Sequence, residues 1–121
     1  MSKTLVVGAT TNPSRYAFIA ANKLLDYGHD IDLIGIKKGE VAGLEIVNIF
    51  QRPDLRDIDT ITLYIGPRHQ AEHISYLISL KPRRIIFNPG TENPAFFEAA
   101  KEANINVEIA CTLVMLSAGT Y

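Results

Sequence analysis

The sequence predicts an α/β protein built on a doubly wound, mostly parallel sheet of about five strands with helices on both faces. Three observations carry this reading. Short apolar runs alternate with amphipathic segments, as in a chain of βαβ units. The runs at Leu5-Val6-Val7 and Asp59 to Ile65 are nearly continuous, the mark of strands covered on both sides. Prolines at positions 13, 67 and 94 each follow the carboxyl end of a strand, so three helix N-termini should share one rim. That rim is where open α/β sheets bind ligands.

Each element has its own warrant. After the first strand, Asn12 is placed to cap a helix that starts at Pro13, where a missing N–H costs nothing. Ala17, Phe18, Ala21, Leu24 and Leu25 then recur at helical spacing, and Gly28 supplies the stop. Ile31 to Ile36 forms the second strand. Lys37 to Glu45 is polar with two glycines and reads as a loop, Ile46 to Phe50 as a short strand, and Pro53 to Asp57 as a turn or helical fragment. Gly66-Pro67 opens a second helix with Ala71, Ile74, Leu77 and Ile78 on one face, ended by Pro82. Arg84 to Phe87 is a strand, and Asn93-Pro94 opens a third helix carrying Phe97, Ala100 and Ala103. Val107 to Ile109 should be the last strand, followed by a mildly apolar tail from Thr112 to Tyr121.

Length and composition narrow the classes of function. The 121 residues, 47% hydrophobic, suit one domain spanning 1–121. A chain of this size buries roughly two-thirds of its unfolded surface and needs no metal or disulfide staple. A formal net charge of −1 gives no global field for nucleic acid or an anionic membrane. Met1-Ser2-Lys3-Thr4 lacks the apolar core of a signal peptide, and no run approaches the length of a membrane span. Cys111, the only cysteine, fits a reducing compartment. The expectation is a soluble cytoplasmic protein.

The turn after the first strand is the candidate site. A dinucleotide fingerprint would place three glycines there, whereas this chain has Gly8-Ala9-Thr10-Thr11-Asn12-Pro13-Ser14-Arg15. Backbone N–H groups at a helix start still attract phosphate, and the hydroxyls and amide can add to them. NAD enzymes place an acidic residue after the second strand; here Gly35 is followed by Lys37 and Lys38. Two lysines there suit an additional ribose phosphate, with a solvated loop as the plain alternative. Arg15 and Arg68 fall where a helix dipole disfavours cations, so an anionic ligand or an ion pair with Glu40, Glu45 or Glu92 must account for them.

Gly8 to Tyr16, followed by Leu24-Leu25-Asp26-Tyr27-Gly28-His29, resembles the small stand-alone CoA-binding proteins. Their Rossmann-like fold is similar to the CoA-binding domain of the succinyl-CoA synthetase alpha subunit. The resemblance runs through nearly the whole chain to Ala110-Cys111. It implies CoA or acyl-CoA as ligand, with Gly8 to Arg15 at the phosphates, Lys37 or Lys38 at the ADP end, and Ile65, Gly66, Pro67 and Arg68 bordering the groove. Asn88-Pro89-Gly90-Thr91-Glu92 departs from the family's pattern. The resemblance also argues against ligase activity, which needs a phosphorylated histidine on another domain and a nucleotide-grasping partner.

The remaining reactive side chains point to no catalytic set. His29 reads as a surface residue of the turn before the second strand. His69 and His73 are four apart, but without a third ligand nearby a plain helix surface is expected and no metal. Ser14 and Thr10 lack a histidine–acid partner in sequence, and Cys111 reads as an inert core thiol. The expected function is non-catalytic binding of CoA or acyl-CoA. The alternatives are an NAD(P)-binding redox enzyme or sensor, with NADP as its cofactor, and an interaction module with a vestigial nucleotide pocket. A homodimer or a protein partner stays open, as do the acyl group and the pathway.

Overall fold

The computed structural model describes residues 3–121; Met1 and Ser2, the first residues of the segment expected to lack a signal peptide, lie outside the described residues. β1 (Lys3–Val7) leads through the turn to α1 (Tyr16–Asp26) and β2 (Asp30–Gly35). A hairpin of β3 (Glu40–Val41) and β4 (Leu44–Glu45) follows, then β5 (Val47–Asn48), β6 (Ile58–Leu63), α2 (Ile74–Ser79), β7 (Arg84–Phe87), α3 (Pro94–Glu102), β8 (Asn106–Ile109) and α4 (Thr112–Ala118). The main sheet has six parallel strands in the order β5-β2-β1-β6-β7-β8. That is the 3-2-1-4-5-6 order of a doubly wound Rossmann-like fold. The sheet has six strands where about five were expected, and the short strand expected at Ile46 to Phe50 is β5, cut to Val47–Asn48 by a 3-10 turn at Ile49–Gln51.

The two faces of the sheet bury different residues because side chains alternate along each strand. Leu5, Val7, Ile34, Ile61, Leu63, Ile85 and Phe87 pack beneath α2, α3 and the segment 49–55, which begins with a 3-10 turn at Ile49–Gln51. Phe87 is held edge-on by Phe96 and Phe97, with ring centroids 5.1 and 4.8 Å apart. Val6, Ile31 and Leu33 face the other way, toward Ala17, Ala21 and Leu24 of α1 and Leu116 of α4. α1 ends as expected, with Gly28 at φ +85° after the C-cap.

Several boundaries differ from the sequence reading, each for a local reason. α1 begins at Tyr16, because the Asn12 side chain accepts from the Ser14 N–H at 3.0 Å and the Ser14 hydroxyl at 2.7 Å. Asn12 and Pro13 therefore build a turn, closed by Arg15 N–H donating to the Asn12 carbonyl, and do not cap a helix. After Pro67 the chain makes two 3-10 turns, Pro67–His69 and Ala71–His73, before α2 starts. The break falls at Gln70, whose buried amide donates to the Ile65 and Thr91 carbonyls, both at 2.8 Å. The expected loop from Lys37 contains the small hairpin, and the expected tail is a helix. Asn93-Pro94 does open α3, with the Asn93 side chain accepting from the Ala95 N–H.

A buried polar knot fastens α4 to the carboxyl end of the sheet. Asn88 Nδ2 donates to Thr62 Oγ1 at 2.8 Å and to the Leu63 carbonyl at 2.9 Å, and Asn88 Oδ1 accepts from the Thr112 N–H at 2.9 Å. The Thr62 and Thr112 hydroxyls bond to each other at 2.7 Å. Replacing Asn88 by Ala strands a buried N–H and a carbonyl at once, so it should cost about 2–4 kcal/mol. Urea denaturation of Asn88→Ala checks this; a loss below about 1 kcal/mol would mean that the knot is dispensable.

Candidate functional site

The chain leaves β1 toward one face of the sheet and β6 toward the other, although the two strands are neighbours. A crevice must open between their carboxyl ends. Gly8 makes the departure possible. It sits at φ +97°, and a Cβ there would lie 3.0 Å from Ile65 Cγ2 and 3.2 Å from the Tyr64 carbonyl carbon. Gly35 meets the same turn from the β2 side, where a Cβ would stand 2.8 Å from the Ala9 carbonyl oxygen. The resulting cleft has a volume of about 680 Å³.

The hydrogen bonds of the turn decide which amides are left unpaired. Gly8 and Ala9 N–H both donate to the Ile34 carbonyl, at 2.9 and 3.0 Å, so they tie β1 to β2. Asn12 N–H donates to Thr10 Oγ1, and Ser14 and Arg15 N–H donate to Asn12. The amides of Thr10, Thr11, Tyr16 and Ala17 have no protein acceptor among the described residues. Tyr16 and Ala17 are the first residues of α1, an eleven-residue helix with no acidic side chain in its first turn. Their amides and the positive end of its dipole suit an anion.

Most of the candidate residues converge on this cleft. Gly8, Ala9, Thr10, Ser14, Arg15, Gly35, Lys37, Ile65 and Gly66 line it. Thr11, Asn12, Pro13, Pro67 and Arg68 do not; they form exposed turns beside it. Lys38 lines a second, smaller cleft of about 430 Å³, which shares Ile36 and Lys37 with the first. Neither Arg15 nor Arg68 forms an ion pair with a described carboxylate, so the expected alternative pairing with Glu40, Glu45 or Glu92 is not made.

The far wall holds residues that the sequence did not single out for binding. Phe50, Ile36 and Tyr16 are exposed large apolar side chains, and all three border the cleft. Tyr64 lies at its floor, where burial pushes the phenol up to about 12 and seals its hydroxyl without a partner. His73, expected on a helix surface, is only 3% exposed. Arg52 lies against it, with Nη1 2.7 Å from His73 Nδ1 and further bonds to the Ile49 and Glu72 carbonyls. Arg52 also rests on the rings of Phe50 and Tyr76, 5.9 and 5.4 Å from their centroids. His69 stays exposed.

The other reactive side chains lie elsewhere. His29 packs edge-on against Tyr121, 4.8 Å between centroids. Cys111 is partly exposed at the N-cap of α4 and is not the core thiol expected from sequence. No group of three metal-ligating side chains forms among the described residues, and no described helix is long and apolar enough to cross a membrane.

A parallel sheet of this order, with unpaired amides at its switch point, defines the nucleotide-binding class of doubly wound proteins. Comparison with known families makes the assignment particular: residues 2–117 match the model of the CoA binding domain, and the chain belongs to that family. A solved structure described as an uncharacterized protein is similar at 51% identity and a TM-score of 0.95, covering 100% of this chain and 98% of the other. A hypothetical protein from Pyrococcus horikoshii OT3 shares the fold at 24% identity, with a TM-score of 0.85 over 97% of this chain and 82% of its own. A protein from Thermus thermophilus does so at 24% identity and a TM-score of 0.80, over 99% and 91%. Among curated proteins, none matches.

Burial, then the Arg52 charge, lowers the His73 pKa below its ordinary 6.5, with Glu72 opposing. The unfolded chain therefore takes up this proton first, and stability rises with pH through this range. The His73 contribution is complete above about pH 6.5 and fades as pH falls through the lowered value. Urea midpoints measured between about pH 5 and 7 should fall toward acid, and His73→Gln should flatten that slope. An equal slope in the variant would assign the acid sensitivity to other groups.

Proposed function

We propose that this chain binds CoA or an acyl-CoA across the switch-point cleft and catalyses no reaction by itself. The observation that carries the reading is the set of unpaired amides at Thr10, Thr11, Tyr16 and Ala17, flanked by the unpaired Arg15. A pyrophosphate fits there, over β1, for the reasons that favour any anion at a helix N-terminus. Gly8, Ala9, Asn12 and Pro13 shape this turn, while Ser14 adds a hydroxyl. Membership of the CoA binding domain family supports CoA over other phosphates.

The nucleotide end then lies over β2, where Gly35 lets the phosphate turn pack closely and Lys37 and Lys38 meet the ribose phosphate. The exposed rings and side chains of Ile36 and Phe50 offer an apolar bed in the same region. The pantetheine arm leaves toward β6, past Ile65 and Gly66, with Pro67 and Arg68 on the outer rim. A lone, half-covered cysteine is in keeping with a cytoplasmic setting.

Replacing Lys37 and Lys38 together by Ala tests this arrangement. Both are exposed, so folding should be unaffected. A charge-assisted contact to the 3′-phosphate contributes on the order of 1–3 kcal/mol, roughly ten- to a hundredfold in affinity. Calorimetry should show the variant losing that factor for CoA, with little change for dephospho-CoA, and the difference should shrink as salt rises. A variant that still prefers CoA to the same degree would return these lysines to a solvated loop. Tighter binding of NADPH than of CoA by the parent would favour the NADP alternative.

A further inference from the structure

His73 is buried, yet it lines the cleft, and one of its ring nitrogens has no hydrogen-bond partner among the described residues. Arg52 Nη1 stands 2.7 Å from Nδ1, and a guanidinium can only donate. Nδ1 must therefore be an acceptor, which fixes the neutral ring with its hydrogen on Nε2. Arg52 is itself anchored on the Ile49 and Glu72 carbonyls, and Phe50 meets the ring edge-on at 4.9 Å, so the imidazole is held in place from two sides. On the open side the Glu72 carboxylate lies 3.8 Å from Nε2, beyond hydrogen-bond reach. Nε2 is not sealed either, since the buried orphan among the described residues is the Tyr64 hydroxyl.

We propose that His73 Nε2–H is a donor to a carbonyl oxygen on the arm of the bound ligand, either a pantetheine amide or an acyl thioester. This rests on the CoA reading above. The chemistry of the surroundings selects the acceptor. Ile49, Phe50 and Ile65 make this part of the cleft apolar, and Glu72 beside the donor repels an anion. A phosphate is better served by the amides and Arg15 at the start of α1. What suits a single neutral N–H among apolar groups is an uncharged carbonyl. The order of the rim agrees: with the nucleotide over β2 and the pyrophosphate over β1, the arm is the part that runs on toward β6 and the segment bearing His73.

The test compares four ligands on the full chain: CoA, acetyl-CoA, the thioether S-ethyl-CoA, and 3′,5′-ADP, which keeps the nucleotide and lacks the arm. His73→Phe should weaken at least one arm-bearing ligand about three- to tenfold and leave 3′,5′-ADP unchanged. His73→Gln, whose amide can accept from Arg52 and donate into the cleft, should restore part of the loss. An equal loss for CoA, acetyl-CoA and S-ethyl-CoA assigns the contact to an amide; a loss confined to acetyl-CoA assigns it to the thioester. In the parent protein, which needs no variant to fold, the imidazole 15N–1H signal of Nε2 should move on adding the arm-bearing ligand and stay put with 3′,5′-ADP. Equal weakening of 3′,5′-ADP, no weakening of any ligand, or an unmoved Nε2 signal would overturn the proposal while leaving CoA binding intact. Failure of all four ligands to bind the parent would instead remove the CoA reading, and this inference with it.

Discussion

The packing of Gly8 against Tyr64 and Ile65 is the contact on which the rest of the cleft depends. β1 and β6 are adjacent and parallel, and their continuations diverge to opposite faces of one sheet. The backbones can touch at the point of divergence only because the residue there has no side chain. From that contact follow the position of the turn at Thr10 to Arg15, the start of α1 at Tyr16, and the two amides it leaves unpaired. The sheet thus sets where the unpaired amides stand, and the side chains around them complete the cleft.

Charge is distributed locally in a chain whose formal balance is only −1. Arg15 and Lys37 stand at the cleft and make no ion pair with a described carboxylate, whereas Arg83 and Arg84 near the opposite edge are paired with Asp59 and Glu108. Cations left unpaired at a helix start work against the dipole unless a ligand compensates them. At the other edge, Tyr121 joins Thr4 and lies under Arg84, 4.5 Å from ring centroid to guanidinium, which fastens the chain's last residue. One edge is closed by its own side chains, whereas Arg15 and Lys37 at the other make no ion pair among the described residues.

Much of this was legible from the sequence, because it depends on neighbours along the chain. The apolar runs of β1, β6 and β7, the Asn93-Pro94 start of α3 and the Gly28 stop of α1 are local signals, and each appears as read. The turn at Asn12 was misread because an Asx-turn and an N-cap use the same residues. α4 was missed because its own N-cap residue, Cys111, makes no capping bond; its first N–H is satisfied by the Asn88 side chain, 24 residues away. His73 was misread for the same kind of reason, since its burial and tautomer are set by Arg52, 21 residues earlier in the chain. Long-range hydrogen bonds leave no periodic trace in sequence, and these are the ones that complete the cleft.

The central claim is that CoA lies across the carboxyl rim of β2, β1 and β6. Amide 15N–1H NMR during a CoA titration tests it most directly. The account predicts that the largest shifts fall on Thr10, Thr11, Tyr16 and Ala17, with further shifts from Gly35 to Lys38 and at Ile65 and Gly66. Residues at the opposite edge, such as Asp30, Asn106 and Tyr121, should stay unchanged. Shifts confined to that opposite edge, or to the exposed Ile109 and Val114, would contradict it, as would a spectrum that CoA leaves unaltered.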